Sequence, residues 1–416
     1  MNISDPKKAS QAYTLELGRR HVSVDPSCLA EAKGLDTNHD HFLENKELLL
    51  GLGFDSTGKA LRKHEKGQAA PLLVQLKGHL THTPNPKASK YHSYDQAAQE
   101  MEDLAEKFPH LAQRVSLGKT YEGRDIWALK ISEGVDKQDT SLRPGVVVTG
   151  LHHAREWMTA EAPLQLAHDM LENYAHDSAD RKRVDQAETW IVPIVNPDGL
   201  EYSRNVDPAW RKNRVPVEGT VDGQLHKSIG VDLNRNYYDG NTDHLELYRP
   251  ASDKPGVTSD DFGATSDDPA SDSYRGPSGA SESEIKSLLG LELGHKNIRG
   301  VIDLHSYGDN ILYPSSHTKD EVPNAPLYKD VAKQMNAAMG NSMVVEQSIG
   351  LYPTSGGSDD CLDANGILCY TLEVGKSFQP APETIKPTSE RVAKGTEAFI
   401  DQIVDRSQAE TLPLRA

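Results

Sequence analysis

Residues His152-His153-Ala154-Arg155-Glu156 follow the run Val146-Val147-Val148-Thr149-Gly150 after a single Leu151. Two imidazoles and a carboxylate therefore stand in a loop at the C-terminal end of a short β-branched strand. Open α/β sheets gather their ligands at that end. A zinc ion that keeps one position open for water takes three protein ligands, and two His with one carboxylate are a standard set. The third ligand must come from another strand end, and His305 in Asp303-Leu304-His305-Ser306-Tyr307 is placed for it. The expected set is His153, Glu156 and His305, with His152 as the rival for the first position. A histidine pair beside Arg-Glu also suits a solvated loop or a core, so the surrounding elements decide.

Those elements alternate. Ser93–Phe108 has helical spacing behind an N-capping serine. Residues 114–132 read as two strands turning at Glu122-Gly123. The runs at 143–150, 189–195, 298–307 and 366–375 read as buried strands, Thr159–Tyr174 as a helix, and Pro382–Val404 as a closing helix. Strands alternating with helices of this length imply an α/β fold: a central mixed, mostly parallel sheet with helices on both faces, plus a small, mainly helical N-terminal region. The Asp/Gly/Ser/Pro-rich stretch from Asp239 to Tyr274 reads as a long surface insertion. A Pro-containing linker near residues 84–86 separates residues 1–88 from a domain over 89–410.

The 416 residues allow one large domain and a small one. A formal charge of −17 argues against nucleic acid, whose phosphates need a basic face. It mildly favours cationic substrates. No apolar run approaches the roughly 20 residues of a membrane helix. The N-terminus lacks the apolar core of a secretory signal, so the expectation is a cytoplasmic protein, export by a signal-free route, or a leader already removed. Three cysteines imply no disulfide framework; Cys361 and Cys369 are either a pair or two buried thiols. A monomer is expected.

The motifs HAREW, AWRKNR, GVDLNRNY, DLHSY, YPTSGGSDD and TLEVG occur in that order. Over residues 91 to 405 the chain resembles the zinc carboxypeptidases of the pancreatic A/B type, peptidase family M14. The resemblance implies one zinc ion on His153, Glu156 and His305, with Asp232 orienting the first histidine, the usual support for a ligating imidazole. It implies Glu373 as the catalytic carboxylate that takes a proton from water and delivers it to the leaving amine. A glutamate ending the apolar run Cys369-Tyr370-Thr371-Leu372 would otherwise be an expensive buried charge. Arg211 is implied to steady the oxyanion. Asn234 and Arg235 would clamp the substrate's terminal carboxylate, Tyr352 would close over it, and Arg155 and Tyr307 would touch residues further upstream. The resemblance also implies that Asp359 lies at the base of the specificity pocket, where an acid marks the B-type preference for C-terminal Lys or Arg. Asp359 or Asp360 could instead cap the following helix. Cys361 departs from the family's usual aromatic.

Residues 36–47 resemble an EF-hand calcium loop. Asp36, Asn38, Asp40, Glu44 and Glu47 supply oxygens at the right positions, and His41 departs from the usual glycine. Calcium is a second expected cofactor there, and Asp260, Asp261, Asp267 and Asp268 are a weaker acidic cluster. The segment 1–88 could be a propeptide or a regulatory element.

The implied activity is hydrolysis of the C-terminal peptide bond of peptides or proteins. A murein-peptide carboxypeptidase is the alternative, since a diaminopimelate side chain would also suit Asp359. A deacylase is disfavoured by Asn234, Arg235 and Tyr352. A non-catalytic calcium-responsive module predicts a missing ligand or a missing glutamate, and neither is missing.

Overall fold

A computed structural model describes residues 88–137, 139–221, 223–248 and 264–413, and the backbone of three short strands nearer the N-terminus. The chain divides into two compact units, Met1–Thr83 and Pro84–Ala416. In the first, β1 (Thr14–Leu17) pairs antiparallel with β2 (Arg20–Ser23) and parallel with β3 (Phe42–Leu43). The helical character expected of this region lies outside the described residues, and the part described is a small sheet. The calcium-loop expectation at Asp36, Asn38, Asp40 and Glu47 lies outside the described residues, as do Cys28, Asp260 and Asp261.

The second unit is built on an eight-stranded sheet in the order β12-β11-β13-β10-β6-β7-β5-β4. Its strands are β4 (Ala112–Lys119), β5 (Asp125–Ile131), β6 (Gly145–Gly150), β7 (Glu188–Val192), β10 (Ile298–His305), β11 (Asn310–Tyr313), β12 (Val344–Gln347) and β13 (Leu368–Glu373). The central run β13-β10-β6-β7 is parallel, and antiparallel pairings join β11 to β13, β5 to β7 and β4 to β5. A separate hairpin, β8 (Pro216–Val221) and β9 (Gln224–Ile229), stands apart from this sheet.

Side chains alternate between faces along each strand, and two apolar clusters result. Val146, Val148, Ile302, Leu304, Leu368, Tyr370 and Leu372 join one cluster, and Val147, Val301 and Cys369 the other. Helices α1 (Tyr94–Lys107), α2 (Met158–Glu172), α7 (Ala325–Ala338) and α9 (Ile385–Gln408) cover the first face. Between them in the chain come α3 (Ser178–Gln186), α4 (Pro197–Asn205), α5 (Leu245–Tyr248) and α6 (Ser283–Glu292). The second face is covered by α6 and by α8 (Ser358–Asp363). On that face the parity of Val147, Val301 and Cys369 continues through Thr149, Asp303, His305, Thr371 and Glu373. The face is apolar where the strands begin and polar where they end. The site must therefore lie at the strands' C-terminal edge.

Helix α1 starts as its sequence dictates: Gln96 N donates to Ser93 Oγ, and Ser93 N donates to Gln96 Oε1, a closed capping box. The Asp239–Tyr274 stretch is less superficial than its composition implies. Tyr248, Thr265, Tyr274 and Arg275 are buried, Asp267 pairs with Arg275 at 2.7 Å, and Asp268 lies 2.9 Å from His226. Cys361 and Cys369 are free and buried.

One polar knot ties α1 to α2. His92 Nδ1 lies 2.8 Å from Glu161 Oε2, His92 Nε2 lies 2.8 Å from Glu100, and His168 Nε2 lies 3.0 Å from Glu100. Hydrogen bonds to Glu100 and then Glu161 raise the His92 imidazole to about 10. Burial opposes ionisation of Glu100, but His168 and His92 lower it to about 2. The histidine's contribution is complete below its ordinary 6.5 and vanishes as pH rises through about 10. The glutamate's contribution is complete above its ordinary 4.5 and vanishes as pH falls through about 2. His92→Ala strands the buried Glu161 and should cost about 1–3 kcal/mol in urea unfolding at pH 6. The gap from the parent should shrink when the titration is repeated above pH 10; a gap that does not change with pH would exclude the ionic origin.

Candidate active site

The loop between β6 and α2 is tightly held. Gly150 admits it: a Cβ there would stand 2.2 Å from the Thr159 carbonyl oxygen. Leu151 then takes a left-handed φ of 60°, a conformation a leucine adopts only under constraint. Its N–H donates to Thr159 Oγ1 at 2.9 Å, and Thr159 Oγ1 donates to the Glu156 carbonyl at 2.7 Å. Asn196 Nδ2 donates to the His152 carbonyl, and Ala154 N to the Arg211 carbonyl.

Within this frame His153, Glu156 and His305 converge, all buried. His153 Nδ1 lies 2.9 Å from Glu156 Oε1 and 3.0 Å from His305 Nδ1, and His305 Nδ1 lies 3.2 Å from Glu156 Oε2. Ser306 N donates to Glu156 Oε2 at 3.0 Å. A tetrahedral zinc ion with bonds of about 2.0–2.2 Å holds its ligand atoms roughly 3.3 Å apart, so this triangle fits one. The far nitrogens carry the protons. His153 Nε2 faces Asp232 Oδ1 at 3.0 Å and His305 Nε2 faces Asp303 Oδ2 at 3.1 Å, and a carboxylate can only accept. Both Nδ1 atoms thus point electron pairs at the same spot as the Glu156 carboxylate.

Something positive must occupy that spot. Burial, then Arg211, hold the His153 imidazole below its ordinary range, so it is neutral. Burial opposes protonation of His305 too, but Asp303 and Glu156 raise it well above its ordinary value. Burial also opposes ionisation of Glu156, yet His153 and His305 keep it ionised. A metal ion at that spot needs the Nδ1 of His305 free of a proton. Uptake of the metal should tighten as pH rises.

His152 does not join this set. Its Nε2 lies 2.8 Å from Tyr237 Oη, its ring stacks on that of His305, and its Nδ1 lies 3.0 Å from Asp303 Oδ1 without hydrogen-bond geometry.

The register of the sheet places Glu373 directly opposite His305 on the neighbouring parallel strand. Its side chain is 8% exposed, and burial, reinforced by the nearby Glu156, raises its carboxyl to about 7. Arg211 is fastened to Asp232, Nε to Oδ2 at 2.9 Å and Nη2 to Oδ2 at 2.8 Å. The arginine is thereby held behind His153 on the carboxylate that also orients it.

Asn234 and Arg235 follow in a tight turn. Asn234 Oδ1 accepts from Ser358 N at 2.9 Å, and its Nδ2 lies 3.1 Å from His305 Nε2. Arg235 Nε donates to the Ala264 carbonyl and Nη1 to the Asn234 carbonyl, both at 2.6 Å. Gly356 packs on this turn: its φ is 74°, and a Cβ would meet the Arg235 carbonyl oxygen at 2.2 Å. The Ser-Gly-Gly-Ser segment is thereby pressed against the arginine.

The two adjacent acids separate in role. Asp360 Oδ1 accepts from Ser316 N at 3.0 Å, and its Oδ2 accepts from Ser316 Oγ and lies 2.7 Å from His317 Nδ1. Asp359 accepts from Ser348 Oγ at 2.6 Å and from Asp360 N at 2.9 Å. Neither caps α8, whose N-cap is Gly357. Burial, then the charge of Asp360, raise the Asp359 carboxyl to about 7, so a cation beside it would be welcome. Cys361 packs into the apolar cluster beside Tyr237 and Leu362.

Tyr352 and Tyr307 are 40% and 51% exposed. Tyr307 meets Phe378 edge-on at 5.0 Å, and the Arg155 guanidinium lies 4.3 Å from the same ring. Phe378 and Asp303 escaped the reading of the sequence. Asp303 carried a usable signal, a charged residue inside the apolar run Val301-Ile302-Asp303-Leu304. Phe378 sits in an irregular loop and carried none.

Residues 97–395 match the family model described as zinc carboxypeptidase, Peptidase M14. Carboxypeptidase A4 of Mus musculus is 29% identical over 326 residues, covering 76% of this chain and 70% of that protein. Among solved structures, the carboxypeptidase A of Helicoverpa armigera superposes with a TM-score of 0.64 at 24% identity, over 96% of this chain and 92% of that one. Bovine thrombin-activatable fibrinolysis inhibitor, solved with a tick carboxypeptidase inhibitor, gives 0.63 at 24% identity, over 77% and 99%.

Proposed function

The chain belongs to the zinc carboxypeptidase family and is a metallocarboxypeptidase, and from that premise we propose that it uses one zinc ion to release Lys or Arg from peptide C-termini. The convergence of His153, Glu156 and His305 within 3.2 Å, backed by carboxylates, carries the metal half of this reading. When bound there, zinc would polarise the scissile carbonyl and acidify a water molecule. Glu373 takes the water's proton and passes it to the departing amine, a task suited to a carboxyl near 7. Arg211, held by Asp232, donates to the oxyanion. Arg235 and the amide of Asn234 grip the terminal carboxylate, which restricts cleavage to chain ends. Tyr352 covers the bound terminus, and Arg155, Phe378 and Tyr307 line the upstream rim.

The preference for cationic termini rests on Asp359. Its buried carboxyl, crowded by Asp360, gains an ion pair from Lys or Arg that an apolar side chain cannot supply. A scan of peptides differing only in the C-terminal residue, with and without a zinc chelator, tests both halves. Lys and Arg termini should be released fastest, and the chelator should stop release. Asp359→Ala should cut kcat/KM for Lys and Arg by about 10- to 100-fold and spare Leu or Phe termini. An unchanged ranking would remove Asp359 from the pocket. Faster release of a terminal diaminopimelate than of Lys would favour the murein-peptide substrate.

A further inference from the structure

His153 has Asp232 behind it, a pairing that the family resemblance implied. The structure adds its counterpart. We propose that Asp303 is a positioning residue for the metal site, fixing the orientation and tautomer of His305 as Asp232 does for His153. The inference rests on the proposed metal set and concerns a residue none of the sequence motifs singled out.

The geometry carries it. Asp303 precedes His305 by two residues on β10, so both side chains leave the same face of the strand. Its Oδ2 lies 3.1 Å from His305 Nε2, the nitrogen opposite the one aimed at the metal position. The carboxylate itself accepts two further hydrogen bonds and is flanked by His152. Ser358 Oγ donates to Oδ2 at 2.7 Å, Thr149 Oγ1 donates to Oδ1 at 3.0 Å, and His152 Nδ1 lies 3.0 Å from Oδ1. Those partners come from β6, α8 and the β6–α2 loop, so the carboxylate cannot turn without disturbing three elements. Asp303 is fully buried. A fully buried carboxylate with no chemical task would be a poor use of a core position. The arrangement also gives His152 a place outside the metal set. It flanks Asp303 and reaches Tyr237 instead of the metal position.

A metal-ligating imidazole whose far N–H meets a carboxylate is oriented and made more basic, and losing that partner typically weakens metal affinity by about 10- to 100-fold. Asp303→Asn keeps the shape but has one oxygen where Ser358, Thr149 and His305 all need an acceptor. The apoprotein and the variant should be titrated with Co(II), following the visible absorption bands, and with Zn(II) in competition with a chelator. The expected result is one equivalent of metal per chain in both proteins, a Kd weakened by about 10- to 100-fold in the variant, and shifted Co(II) bands. Ser358→Ala leaves the charge in place and loosens only its anchor, so it should move both readouts in the same direction by a smaller factor. If Asp303→Asn does not fold, Ser358→Ala decides, and a parental Kd with parental Co(II) bands overturns the proposal. The same holds for a folded Asp303→Asn with parental bands and Kd. A second metal equivalent in the parent, lost in the variant, would make Asp303 a ligand instead, together with His152 and His305. Failure of the parent to bind any metal would sink the metal reading itself, a result distinct from all of these.

Discussion

Glu373→Gln should bind its metal as the parent does and lose turnover by a factor on the order of 10² to 10⁴. The glutamine keeps the shape of the side chain beside His305, so the ligand triangle is undisturbed, but an amide can neither take the water's proton nor return it to the amine. The effect should fall on kcat, because the residue is proposed to act on the reacting atoms and not on the clamp. The pH profile supplies a second reading. Glu373 works as the ionised form, and burial together with Glu156 raises its carboxyl to about 7. Activity should rise with pH as that proton leaves. A cation at the ligand triangle draws the carboxyl downward again, so the acid limb of kcat/KM should lie at or below about pH 7. The residual activity of the variant should lack that limb. Full activity in Glu373→Gln would falsify the assignment of the proton carrier.

The two adjacent histidines should behave oppositely. His153→Ala removes one corner of the triangle and leaves Glu156 and His305 facing a void, and both metal and catalysis should be lost, the latter by at least about 10³-fold. His152→Gln should still take up one equivalent, because His152 faces Tyr237 and Asp303. Metal analysis after dialysis against trace zinc separates them. Loss of the ion from His152→Gln with retention in His153→Ala would reverse the assignment.

Much of this site was legible because chemistry and periodicity coincide. The runs carrying Val146–Val148, Val301–Leu304 and Cys369–Leu372 announce buried strands, and their polar last residues announce the site. The edges were not legible. Strands β11 (Asn310–Tyr313) and β12 (Val344–Gln347) are four residues each and too short to show a period. Helix α3 carries only Ala179 and Val184 as apolar residues and owes its start to the Asp177 cap, since Asp177 Oδ1 accepts from Ala179 N and Asp180 N. The antiparallel edges beside β13 and β7 are a matter of strand order, which no local pattern encodes. Asp303 was missed for another reason. A charge within an apolar run signals function, and Glu373 shows it plainly at a strand's end whereas Asp303 lies inside one.

The register that sets His305 against Glu373 has a consequence for how the enzyme fails. Both residues end strands at the centre of the sheet, and their amides belong to a ladder that opens only when the whole core does. The tyrosines at 307 and 352 stand exposed on connecting segments, whose openings are local and cost far less. Under rising denaturant the cover that Tyr352 is proposed to place over the bound terminus should loosen first, raising KM while kcat per folded molecule persists. The pair His305 and Glu373 has the lifetime of the fold itself, and the exposed cover formed by Tyr307 and Tyr352 has the lifetime of a loop.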